Sequence, residues 1–341
     1  MHETNWAGNH TYPAHTIHRP RTVGEVREIV ATAPCVRVLG TRHSFSDIAD
    51  GDGSGDTTGN LATAVAGMQL VTSSGDVMDV TRDDPGFDGM AVGLGALGVV
   101  ARLTLDVEPS HEIVQRTYEG LPFEALLDDL DAIMAAGYSV SVLTDWGPTV
   151  DRVWVKHRVD AGTDPEARGR FHGVAPVTDD AGDRAVPGAW SDRLPLFSMD
   201  ATPSVGEELQ AEYFVARRHG VAALRAVREL ADVVQPVLHI SEIRTVTADR
   251  LWMSPQYRQE TLAIAFTLTL DPDAVARTLV HVEAALAPFD ARPHWGKLFH
   301  HDATAIAALY ERRDDFVRLV ERVDARGALR NAWLRHRVLG D

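Results

Sequence analysis

Cysteine is almost missing from this chain: Cys35 stands alone among 341 residues, so no intramolecular disulfide can form. It lies in the run Cys35-Val36-Arg37-Val38-Leu39, which reads as a strand in which a free thiol is expected to be buried and unreactive. Long apolar runs are missing too. None approaches the ~20 residues needed to cross a bilayer. Met1-His2-Glu3-Thr4-Asn5 has neither a basic nor an apolar leader region, so a cytoplasmic location is expected. Positive charge is in deficit, with 33 Lys and Arg against 49 Asp and Glu and a net charge of −16. That balance argues against nucleic acid or an anionic membrane as the main partner. It suits an enzyme with a neutral small-molecule substrate. There is no Gly-x-Ser-x-Gly elbow, no Walker loop, no dinucleotide fingerprint after a strand and no His-Glu-x-x-His helix. His300-His301-Asp302 is expected to put adjacent imidazoles on opposite strand faces, the wrong geometry for shared ligation, so no metal is expected.

What is present reads as an α+β protein with a mostly antiparallel second half. Thr22 to Ala33 has the spacing of a helix, with Val23, Val26, Ile29 and Val30 on one face and Thr22 as cap. A polar, glycine-dense stretch, Asp50 to Asn60, must be a loop. Ala64–Thr72 and Val77–Val80 read as a hairpin turning at Ser73-Ser74-Gly75-Asp76, and Gly93 to Val100 leads into a strand at Ala101–Val107. Beyond Pro109, strands are predicted at Ile113–Tyr118, Ser139–Thr144, Arg152–Val159, Glu208–Val215, Val237–Val246 and Thr261–Leu270. Helices are predicted at Pro122–Ala136, His219–Val233 and Pro272–Leu286, and Asp160–Asp200 reads as a long surface excursion.

Three segments carry candidate chemistry. In Ala291-Arg292-Pro293-His294-Trp295-Gly296-Lys297-Leu298-Phe299, strand-like in pattern, Lys297 is set among aromatic rings. Its stem either lies on apolar surface with the head in water, or its ammonium is aimed into a pocket. Glu242 and Arg244, two apart on a strand, share a face. They are either a solvated surface pair of little value, or a carboxylate and guanidinium lining a pocket for hydroxyl groups. His43 follows the turn Gly40-Thr41-Arg42, where backbone amides can converge on a phosphate or a ring.

Together these segments resemble the sugar-alcohol (alditol or xylitol) oxidases, flavoenzymes of the vanillyl-alcohol oxidase superfamily. The resemblance extends from Asn5-Trp6-Ala7-Gly8-Asn9 to Asn331-Ala332. It implies a two-domain flavin oxidase: an FAD-binding domain over 1–107, a substrate domain of antiparallel sheet plus helices over 108–318, and a segment over 319–341 returning to the first domain. It further implies FAD bonded covalently to His43, with Gly40, Thr41, Arg42 and Ser44 in the attachment loop. Gly53, Ser54, Gly55 and Asn60 would lie toward the pyrophosphate, and Gly98 and Val100 would face the cofactor. Glu242, Arg244, Thr267 and Lys297 match substrate-binding positions of the family, and Lys297, Arg244 and Glu242 would act in catalysis. Two departures stand out. Ala265 replaces a family histidine, and a long block of the FAD domain is missing near residues 51–53. The implied activity is oxidation of a polyol such as xylitol or sorbitol at its terminal hydroxyl, with O2 reduced to H2O2 by a monomer. The alternatives are an aldonolactone oxidase, or a non-catalytic remnant keeping a polyol-binding domain.

Overall fold

The computed structural model describes residues 3–5, 7–40, 55, 59–159, 170–177, 185–194 and 207–340. Thr22 opens the first helix, Val23–Thr32, by accepting a hydrogen bond from the Glu25 amide, which satisfies a donor that the helix start leaves unpaired. The run Cys35–Leu39, expected as a strand around a buried thiol, is neither. Cys35 is exposed, and Val38 and Leu39 are 59% and 39% exposed. A strand needs a neighbour to take its backbone groups. Here the Val36 N–H instead reaches the Ala328 carbonyl at 2.8 Å.

Strands β1 (Val65–Val71), β2 (Val77–Thr81) and β3 (Val99–Leu105) form an antiparallel sheet in the order β2-β1-β3. The β1–β2 turn closes as expected at Gly75, whose φ is +83°, and a side chain there would meet Ala31 and the Arg27 carbonyl at 3.0 Å. β3 is an edge strand exposed from Val100 onward. The C-terminal region is tied to this part of the molecule. The Arg326 guanidinium donates to the carbonyls of Val30, Ala31 and Ala33 at the end of the first helix, and to Ser73 in the hairpin. A helix end presents unsatisfied carbonyls and partial negative charge, so a cation there is favourable.

The larger sheet has eight strands: β4 (Glu112–Tyr118), β5 (Ser139–Thr144), β6 (Arg152–Val159), β7 (Gly188–Ala189), β8 (Glu208–Ala216), β9 (Leu238–Val246), β10 (Thr261–Thr269) and β11 (Arg292–Pro293). Their order is β11-β8-β10-β9-β5-β6-β4-β7, antiparallel throughout. The predicted helix Pro272–Leu286 is found with those bounds, capped by Asp271. The predicted helices Pro122–Ala136 and His219–Val233 are each broken in two, at Asp129 and Leu230. The predicted strand through 291–299 reduces to the two paired residues of β11, because the chain turns at Trp295, Gly296 and Lys297. The described part of the 160–200 excursion returns to the sheet as β7, beside β4.

Alternation gives the sheet two unlike faces. Leu209, Ala211, Tyr213 and Val215 on β8, with Leu262, Ile264, Phe266 and Leu268 on β10, are buried in the main core. Apolar residues of the helices, such as Leu224, Val227, Leu279 and Val282, belong to the same core. Burying one such side chain contributes ~1.5–3 kcal/mol, so this face fixes the sheet and leaves the other free to carry charge.

Candidate active site

The charged face is built by register. Ala265 on β10 pairs with Glu212 on β8 at one side and with Glu242 on β9 at the other. Ala263 likewise pairs with Arg244. All these side chains, with Thr267 two residues further along β10, therefore share one face. The crossing point offers only two methyl groups on β10, and Arg244 spans that strand to place Nη2 at 2.7 Å from Glu212 Oε1. Its Nε is 3.8 Å from Glu242 Oε2. Glu242 and Arg244 are therefore not a solvated surface pair.

Lys297 reaches the same carboxylate from the opposite side. After β11 the chain keeps to the edge of β8, with the His294 N–H donating to the Glu212 carbonyl and the Leu298 N–H to that of Gln210, both at 2.9 Å. Between them Trp295, Gly296 and Lys297 form a turn, closed by the Lys297 N–H on the His294 carbonyl at 3.1 Å. The Gly296 N–H donates to His294 Nδ1, so that nitrogen is unprotonated and its ring, stacked on Phe214, is held in one tautomer. Trp295 is fully buried against Phe299, Tyr310 and Trp333, and its Nε1 donates to the Met253 carbonyl. The turn directs Lys297 Nζ onto Glu212 Oε2. Lys297 therefore does not hold its head in water: its side chain is largely buried and ends on the Glu212 carboxylate.

Glu212 is the residue the sequence reading did not single out. Its side chain is fully buried, and those of Arg244, Lys297 and Glu242 are 7%, 12% and 31% exposed. A buried carboxylate costs several kcal/mol unless opposite charge compensates it. Here a separate cation meets each oxygen. Glu242 is the most accessible of the four.

The other sequence-selected positions divide. Thr41, Arg42, His43, Ser44, Gly53 and Ser54 lie outside the described residues. Gly55 donates to the Thr245 carbonyl at 2.7 Å and bridges to Val246, which seats it beside Arg244 in sequence. Asn60 uses its amide within the protein, on Asp249, Ser254 and Gln256 and on the Ala62 N–H. Gly98 packs on β1, where a Cβ would meet the Val71 carbonyl at 2.8 Å. Val100 is about half exposed on β3, and Gly40 is exposed. His300 and His301 are not on a strand. His301 and the His300 backbone both face Glu283, and among the described residues no group of three or more His, Cys, Asp or Glu could hold a metal. No helix among them is long and apolar enough to cross a membrane.

Residues 197–337, which include Glu212 and all four predicted substrate-contacting residues, match the family model of D-arabinono-1,4-lactone oxidase. Alditol oxidase from a Streptomyces species is 36% identical, covering 97% of this chain and 98% of that protein. The chain belongs to the alditol oxidase family. Members of this family are FAD-dependent flavoproteins that oxidise sugar alcohols or aldonolactones. L-gulono-1,4-lactone dehydrogenase from Mycobacterium tuberculosis is 25% identical over 99% of each chain. Among solved structures, cholesterol oxidase from B. sterolicum superposes with a TM-score of 0.60 at 13% identity, covering 84% of this chain and 72% of that one. That likeness is one of fold. The match to the Streptomyces alditol oxidase runs over 409 positions and the chain has 341 residues. Part of the aligned length therefore has no counterpart here.

Proposed function

We propose that this protein is an FAD-dependent oxidase of a small polyol such as xylitol or sorbitol, acting at the terminal hydroxyl. One observation carries the reading: two cations held on a buried carboxylate, with the more open carboxylate of Glu242 beside them, on the polar sheet face of an alditol oxidase family member. The face fits a flavin and a slender substrate. Gly55 brings the end of the glycine-rich loop against β9, and the half-buried Ala265 and Thr267 keep the floor low. Glu242 accepts hydrogen bonds from substrate hydroxyls and Thr267 adds a donor and acceptor. Arg244 and Lys297 present positive charge to the hydroxyl oxygen, which gains negative charge as its proton passes to solvent while its carbon gives up hydride. When bound, FAD supplies the hydride acceptor and returns the electrons to O2 as H2O2.

The same reading takes His43 as the covalent attachment point and the join near residues 51–53 as the place where the FAD domain is shortened. The length of the alditol oxidase match supports a shortened domain, as do the exposed apolar side chains of Val38, Leu39, Val100, Leu103, Leu105 and Val107. Those exposed side chains also favour a second reading, a remnant that keeps the polyol-binding sheet without FAD. The family model over 197–337 keeps aldonolactones as alternative substrates.

The visible spectrum of the purified protein separates these readings. A yellow protein whose colour survives acid precipitation, is lost in His43→Ala and bleaches with xylitol in the absence of air is expected. A colourless protein that takes up no added FAD overturns the oxidase.

A further inference from the structure

We infer that Glu212 is the positioning residue of this site, fixing Lys297 and Arg244 relative to one another and keeping Lys297 charged without itself meeting the substrate. The inference deepens the proposed function, on which its catalytic meaning rests. The Glu212 side chain has no exposed surface and both oxygens are occupied by cations, so it is not placed to receive a substrate hydroxyl. Its two partners come from separate elements, β9 beyond β10 on one side and the turn after β11 on the other. Neighbouring strands lie ~4.8 Å apart, so β8 and β9 are roughly two such spacings apart and only a side chain as long as arginine bridges them. Ala263 and Ala265 leave its path open. With Glu212 neutral, an ammonium and a guanidinium would face each other across a buried gap, and the like charge would favour loss of the lysine proton. The carboxylate thus sets two properties of the site together: where the cations stand, and that the more easily deprotonated one stays charged.

The chain itself makes this measurable. Lys156 and Lys297 are its only lysines, so an amine reagent sees those two and the N-terminus. Lys156 donates to Ser141 on β5, remote from Glu212 in the sheet order, and serves as internal reference. Reductive methylation of the full-length protein is followed at each lysine by peptide mass across a series of pH values. In Glu212→Gln, Lys297 is expected to react at least tenfold faster than in wild type near neutral pH, with its profile displaced to lower pH and that of Lys156 unmoved. Glu212→Asp, which keeps the charge, should restore much of the wild-type profile. An unchanged Lys297 profile in Glu212→Gln overturns the inference, as does an Asp variant that behaves like Gln. Should Glu212→Gln fail to fold, the double variant Glu212→Gln/Lys297→Met decides. Recovery of the fold supports a role acting through Lys297, and no recovery overturns it. The labelling uses neither flavin nor polyol, so its failure is distinguishable from a failure of the oxidase reading.

Discussion

Asn60 Nδ2 donates to Asp249 Oδ2 at 2.6 Å, joining residues that lie 189 positions apart. The same carboxylate takes the Ser254 hydroxyl and the Leu251 N–H. This latch ties the segment before β1 to the loop after β9, the strand that carries Glu242 and Arg244. Asn60→Ala is expected to lower stability by about 1–3 kcal/mol, the cost of leaving buried polar partners unmet. Denaturant unfolding measures it, and a change within a few tenths of a kcal/mol would show the latch to be idle.

The latch also has a pH signature. Burial holds the Asp249 carboxyl above its ordinary range, against hydrogen bonds from Ser254, Leu251 and Asn60 that pull it down. A carboxyl raised in the folded state binds its proton more tightly there than in the unfolded chain. Its contribution to stability is therefore fully present below the unfolded value and is lost as pH rises through the folded value. Relative to Asp249→Asn, which does not titrate, wild type should lose stability as pH rises through the mildly acidic range. Thermal midpoints of both proteins at several pH values check the sign.

Lys297→Met keeps the length of the stem and removes the charge. If the ammonium stabilises charge in the transition state, flavin reduction by xylitol should slow roughly a hundredfold or more. The fold should respond as well, because Glu212 stays buried with only Arg244. Breaking a buried pair from one side costs about 3–5 kcal/mol, and the surviving partner here should hold the loss toward the lower end. Equal rates in variant and wild type would return Lys297 to a packing role.

Arg326 donates to four carbonyls from two separate parts of the chain. Arg326→Met preserves bulk and deletes those bonds, and a loss of about 1.5–3 kcal/mol is expected for charged donors. Hydrogen exchange should quicken in Val23–Thr32 and around Ser73, and leave β8 to β10 unaffected. Uniform acceleration would assign the effect to global stability instead.

Ala265 sits between two carboxylates in register and below the path of Arg244. Ala265→Leu should push Arg244 off Glu212, weaken polyol binding at least tenfold and lower the thermal midpoint, because the buried carboxylate then keeps only Lys297. Calorimetric titration with xylitol measures it, and unchanged affinity would show that the path is wider than the register implies.

The elements with local signals were the legible ones. Asp271 followed by Pro272 starts a helix through capping and a fixed φ, and periodicity carries it to Leu286. Alternation placed Glu242 and Arg244 on one face of β9. The run Cys35–Leu39 has the composition of a strand, but composition cannot supply a neighbour, and none is found among the described residues. Glu212 was missed because burial of a carboxylate is a tertiary fact. Two signals pointed to it: Glu208, Gln210 and Glu212 alternate with Leu209, Ala211 and Tyr213, which puts a polar row on β8. In addition, a chain with 33 Lys and Arg residues spends only two of these on lysine, so a lysine at 297 marks a place where arginine does not serve.

The clamp from Arg326 has a consequence for how the molecule is made. The helix Val23–Thr32 leaves the ribosome well before the guanidinium that completes its far end, which lies 296 residues beyond Val30. Until then the end of this helix lacks its partner, and contacts this distant along the chain are the slowest to form. This helix is thus fastened late, and a chain stopped short of residue 326 would carry both sheets and an unfastened Val23–Thr32.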